Sequence, residues 1–119
     1  MKVTKEFTFD SAHKLINYDG PCSRLHGHTY KLQVTVEGKV DTSGMVIDFV
    51  KLKKIVTECV LSKLDHQYIN DIISQPTAEN MVLWIWDQLF KSIQKENKEI
   101  RLSVVRLWET PNSFAEYSG

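Results

Sequence analysis

Three of the four histidines, His13, His26 and His28, fall where one metal ion could collect them. A single glycine separates His26 from His28, and residues two apart on an extended strand project to the same side. Three neutral imidazoles occupy three corners of a tetrahedron and leave the fourth open, the plan of a catalytic zinc site. Cys22 lies just upstream, in Pro21-Cys22-Ser23-Arg24-Leu25-His26-Gly27-His28. Two roles are open to it. As a fourth ligand it would close the site and make the metal structural. As a base it would use the readier ionisation of a thiol beside a cation, and this is the reading preferred. Iron or nickel can also bind three imidazoles, so zinc is inferred from ligand type.

Two further groups suit the same chemistry. Asp65 and His66 adjoin in Leu64-Asp65-His66-Gln67. Neighbours on a helix face apart, but just past a helix end both can turn toward one pocket; the rival is a plain polar helix end. Glu109 closes the alternation Val105, Leu107, Glu109, which carries its carboxylate to the rim of a buried face. A buried carboxylate needs donors, and the edge of an aminopyrimidinone ring offers two parallel N–H groups.

These groups need strands to hold them. Val3, Lys5, Phe7, Phe9, Ser11 and His13 share one parity, so a first strand carries His13 on the face of Phe7 and Phe9. Tyr18-Asp19-Gly20-Pro21 signals a turn. A second strand, from about Gly27 to Gly38, sets Tyr30, Leu32, Val34 and Val36 on the histidine side. Asp48 caps a helix whose buried stripe is Phe49, Leu52, Ile55, Val56, Cys59, Val60 and Leu64. Cys59 is core packing on that reading, not a partner for a Cys22 disulfide. Thr77 caps a second helix to about Glu96, buried on several sides over Met81 to Trp86. Short strands at about Arg101–Glu109 and Ser113–Tyr117 close the chain. The order ββααββ predicts an α+β domain: a four-stranded antiparallel sheet with both helices on one face. Its open edges and polar second face predict a homo-oligomer.

The gross numbers set bounds. At 119 residues the chain is one domain, 1–119, with room for a core. Lysine plus arginine equals aspartate plus glutamate at 15 each. That balance argues against a nucleic-acid or membrane partner, which would want a basic excess. No apolar run approaches the roughly 20 residues of a membrane span, and Met1 to Asp10 does not read as a signal peptide. A cytoplasmic location is expected.

The motifs taken together resemble the 6-pyruvoyltetrahydropterin synthase superfamily, nearest to its bacterial 6-carboxytetrahydropterin synthase branch. The likeness runs through Phe7-Thr8-Phe9-Asp10-Ser11-Ala12-His13, Cys22 to His28, Asp41 to Phe49, Leu64-Asp65-His66, Asn70-Asp71, Pro76 to Asn80 and Trp108-Glu109-Thr110. The three-residue gap between Cys22 and His26 is similar to that branch. The resemblance implies a tunnelling fold (T-fold), with trimers closing their sheets into a barrel and stacking as hexamers. It implies zinc on His13, His26 and His28, catalysis by Cys22 with Asp65 and His66, and Glu109 as the pterin anchor. The activity implied is conversion of 7,8-dihydroneopterin triphosphate to 6-carboxy-5,6,7,8-tetrahydropterin, with loss of acetaldehyde and triphosphate, in 7-deazaguanine (queuosine) biosynthesis. Redox change is internal to the substrate, so no nicotinamide or flavin is expected. Two alternatives stand: formation of 6-pyruvoyltetrahydropterin from the same substrate, and a non-catalytic metal-binding assembly module.

Overall fold

The computed structural model describes residues 1–119. Alternation of apolar and polar residues produces two long strands, β1 (Lys2–His13) and β2 (His26–Gly38), paired antiparallel from Lys2↔Glu37 to His13↔His26. β3 (Ile100–Thr110) pairs with β2, and β4 (Ser113–Tyr117) pairs with β3 across a tight turn. The sheet order is β1-β2-β3-β4, antiparallel throughout. The α+β architecture and the order ββααββ are as expected.

The helices connect β2 to β3 and cover one face. Asp48 caps α1 (Phe49–Val56) by accepting from the Val50 N–H at 2.8 Å. A π-helical turn, Thr57–Leu61, leads directly into α2 (Ser62–Leu64). This wider turn has a packing consequence. Leu52, Val56, Val60 and Leu64 are all fully buried, yet a spacing of four drifts off one face of a regular helix. The extra residue in the π turn brings the later members back to the sheet. Phe49 does not join them; placed in the buried stripe by its spacing, it is half exposed at the helix start. Cys59 packs beside the core with its Sγ 3.4 Å from Ser92 Oγ, and both cysteines are free thiols.

Thr77 caps α3 (Ala78–Glu96), its hydroxyl accepting from the Asn80 N–H at 3.1 Å. α3 buries Met81, Val82, Ile85, Trp86, Leu89 and Ile93. Burial is one-sided rather than all round, because Leu83 is 44% exposed. The core lies between these helices and the face of β1–β3 bearing Phe7, Phe9, Tyr30, Leu32, Val34, Leu102, Val105 and Leu107. None of the helices is long and apolar enough to cross a membrane.

Candidate metal centre

Strand register builds the site. His13 pairs with His26, and Ser11 with His28, so the three imidazoles stand together on the core-facing side at one end of the β1–β2 ladder. The ring centroids are 4.6 Å apart for His13–His26, 4.7 Å for His26–His28 and 5.2 Å for His13–His28. Ser11 helps by being small, and its hydroxyl donates to the Leu64 carbonyl instead of entering the cluster. His13 is buried, while His26 and His28 are partly accessible.

Each ring has a different second contact. His26 Nδ1 lies 2.7 Å from the Arg24 carbonyl. A carbonyl only accepts, so Nδ1 carries the proton and Nε2 keeps its lone pair. His13 Nδ1 meets the hydroxyl of fully buried Tyr30 at 2.7 Å, which leaves His13 Nε2 for the cluster. His28 Nε2 is buried and has no hydrogen-bond partner. The Glu109 carboxylate lies 3.2 Å from it, in poor alignment for a hydrogen bond.

Burial pushes the His13 pKa down to about 4, with repulsion from His26 and His28 adding to it. Burial also lowers that of His28, and the charge of Glu109 opposes the shift. Burial, with the Glu109 charge behind it, raises that of the Tyr30 hydroxyl. Burial that disfavours the cationic forms of His13 and His28, with one orphaned nitrogen of His28 in the cluster, fits a divalent cation.

Glu109 sits at a bulge. Trp108 pairs with Phe114 and Thr110 with Ser113, so Glu109 is the extra residue of β3 against β4. Continuing the Lys31↔Trp108 register by one residue sets Glu109 across from Tyr30, on the histidine face. Its carboxylate belongs to the group His13, His26, His28, Glu109, whose potential ligand atoms all lie within 4.8 Å of one another. Beside it opens a cavity of about 490 Å³ lined by His28, Lys31, Trp108, Glu109 and Thr110.

Cys22 is absent from that group. It sits in a short 3-10 turn, Pro21–Ser23, on the loop whose two ends are His13 and His26. The thiolate-closed site is therefore not what the chain assembles; its fourth nearby ligand atom belongs to Glu109. Asp65 and His66 follow α2 directly. His66 has a left-handed backbone, φ 57°, uncommon for a residue with a Cβ, and its Nδ1 lies 2.9 Å from Asp65 Oδ1. The His66 side chain is 76% exposed and shares an open hollow with Asp10, Ala12, His28 and Tyr68. No hydrogen bond joins Cys22 to Asp65 or His66 within one chain.

Residues outside the expected site also shape this end. Tyr30 is expected from the sequence only as an apolar-face residue of the second strand. Asn70 and Gln75 were given no site role, yet both bond the backbone of the Cys22 loop. Their signal was faint: two amides in a loop, with no period to place them.

Comparison with known proteins follows the same lines. The chain matches the family described as 6-pyruvoyl tetrahydropterin synthase over residues 2–119. It is 39% identical to 6-carboxy-5,6,7,8-tetrahydropterin synthase of Haemophilus influenzae, covering 98% of this chain and 97% of that protein. It is 43% identical to a dihydroneopterin monophosphate aldolase of Pyrococcus furiosus, covering 91% and 89%. Among solved structures, Caenorhabditis elegans 6-pyruvoyl tetrahydropterin synthase superposes with a TM-score of 0.87 at 28% identity, over 100% of this chain and 95% of that one. That fold is the T-fold expected from the motifs. By sequence along its whole length and by architecture, the chain belongs to the 6-pyruvoyl tetrahydropterin synthase family of enzymes.

Proposed function

We infer that this chain is a zinc-dependent lyase. It converts 7,8-dihydroneopterin triphosphate and water to 6-carboxy-5,6,7,8-tetrahydropterin, acetaldehyde and triphosphate, in the cytoplasm, as a step toward 7-deazaguanines such as queuosine. The observation that carries the reading is the cluster of three imidazoles beside one carboxylate at the mouth of a cavity. The near-full-length likeness to a 6-carboxytetrahydropterin synthase supports that product.

His13, His26 and His28 would hold the metal. When bound, zinc supplies Lewis-acid stabilisation to the oxygens of the substrate side chain. Glu109 accepts the two parallel N–H groups of the pterin edge and fixes the ring's orientation. Cys22 removes the proton from the carbon next to the ring. Asp65 takes the His66 Nδ1 proton in a hydrogen bond, leaving Nε2 to move protons at the leaving groups. The exposure of His66 and its lack of contact with Cys22 in one chain support a site completed by a neighbouring copy. The open strand edges support a homo-oligomer, taken as a hexamer of two trimers.

The 43% identity to a dihydroneopterin monophosphate aldolase favours a second reading, in which the same pocket acts on a monophosphate. Incubation of the zinc-loaded protein with each substrate separates the possibilities. Acetaldehyde and triphosphate in equal amounts support the carboxytetrahydropterin synthase. Triphosphate without acetaldehyde points to the pyruvoyl product, turnover of the monophosphate alone to the aldolase, and no turnover to a metal-binding assembly module.

A further inference from the structure

We propose that Asn70 and Gln75 are positioning residues for Cys22, clamping the loop that carries it onto the segment that leads into α3. The inference rests on the reading of Cys22 as the base and goes beyond it by naming what holds that base in place.

The loop from Lys14 to Leu25 contains no buried residue. Ile16, Tyr18 and Leu25 are 46%, 48% and 66% exposed, so apolar packing within the chain does not anchor it. Hydrogen bonds do. Asn70 Oδ1 accepts from the Lys14 N–H at 3.0 Å, and its Nδ2 donates to the Lys14 carbonyl at 2.9 Å. Gln75 repeats the arrangement two residues on. Its Oε1 accepts from the Ile16 N–H at 2.7 Å, and its Nε2 donates to the Ile16 carbonyl at 3.0 Å.

Each amide thus does for one residue what a neighbouring strand does in a ladder. The edge of β1 is served in the same way further back. The Ala12 N–H donates to the Gln67 carbonyl, the His66 N–H to the Asp10 carbonyl, and the Asp10 N–H to Asp65 Oδ1. Residues 10, 12, 14 and 16 therefore present one continuous edge to the segment 65–75, first to its backbone and the Asp65 carboxylate and then to side-chain amides. Between the two clamped residues, the Leu15 N–H donates to the Cys22 carbonyl at 2.8 Å. That bond passes the registration from the clamp to the cysteine.

The clamp is itself fixed. Asn80 Nδ2 donates to the Gln75 carbonyl at 2.9 Å, and the Thr77 N–H donates to the same oxygen at 2.9 Å. Both donors lie at the start of α3, the most deeply packed helix. Cys22 is thereby referenced to the core through polar contacts alone. A base misplaced by about 1 Å loses on the order of 100-fold in rate, so these contacts bear on turnover more than on folding.

The test uses full-length, zinc-loaded protein and two variants. Gln75→Met keeps the side-chain length without its polar end. Asn70→Asp keeps the acceptor and replaces the donor with charge. Zinc content, melting temperature, amide exchange at Leu15, and kcat and KM for dihydroneopterin triphosphate are measured in each. The expected result is full zinc content, Leu15 exchange faster by about tenfold or more, and kcat reduced by roughly 10- to 100-fold with KM within about twofold. Unchanged Leu15 exchange overturns the clamp. Faster exchange with unchanged kcat overturns its positioning role, as does a loss of kcat matched by loss of zinc. Cys22→Ala separates the two levels: if it stays active, the base reading falls and this inference with it. If it is inactive while Gln75→Met and Asn70→Asp turn over normally, only this inference falls.

Discussion

The two halves of the site are held by different means. The three histidines sit at the end of a long two-stranded ladder, where one register fixes His13, His26 and His28 together and a packed core lies behind them. Cys22, Asp65 and His66 sit on turns, exposed or partly exposed, and are held by hydrogen bonds. Metal binding needs rigid, preset geometry, and a register supplies it because a slip of one residue turns every side chain to the other face. On the proposed reading Cys22, Asp65 and His66 move protons and must meet substrate, and turns at the rim leave them free to do so.

The largest effect expected from breaking this contrast is at the ladder. His26→Ala removes the imidazole whose tautomer is set by the Arg24 carbonyl, and zinc content and turnover should be lost together. Cys22→Ala should act on turnover alone, lowering kcat by about 10²- to 10⁴-fold with zinc content unchanged by elemental analysis. Glu109→Gln sharpens the division between ligand and anchor. A charged hydrogen bond of about 1.5–3 kcal/mol corresponds to a loss of kcat/KM of roughly 10- to 100-fold with metal retained. Metal lost with that substitution would make Glu109 a ligand instead.

The pH dependence of stability probes the same buried end. His13 has its pKa pushed down to about 4 in the folded chain from an ordinary 6.5. The unfolded chain therefore binds a proton that the fold refuses, and acid favours unfolding. Metal-free protein should lose stability as pH falls from about 6.5 toward 4, seen as a falling urea midpoint, whereas His13→Gln should flatten that slope. The smallest effect lies at the start of α3. Thr77→Ala removes the α3 cap and should cost about 1 kcal/mol in urea unfolding, with zinc binding intact.

The ladder was also the legible half. Alternation fixed which residues share a face, and that alone joined His13 to His26, His28 and the Phe9–Tyr30 side of the sheet. The caps at Asp48 and Thr77 were readable because short polar side chains before an apolar period have one common use. What escaped depends on contacts between distant turns. The bulge between β3 and β4 at Glu109 leaves no trace in the sequence, although the alternation Val105, Leu107, Glu109 already carries that carboxylate to the histidine face. The π turn that keeps Leu52 through Leu64 on one face looks in sequence like an ordinary stripe, so Phe49 was drawn into it. The amide contacts of Asn70 and Gln75 to residues 14 and 16 have no local pattern at all, and the left-handed turn at His66 has no glycine to announce it.

X-ray absorption on the zinc-loaded protein tests most directly whether three strand-borne imidazoles hold the ion with one position left for substrate. The expected spectrum shows one zinc per chain with three nitrogen scatterers at about 2.0–2.1 Å and one light scatterer exchanged on adding pterin substrate. A sulfur scatterer at about 2.3 Å, or a fourth ligand that substrate does not displace, would contradict it.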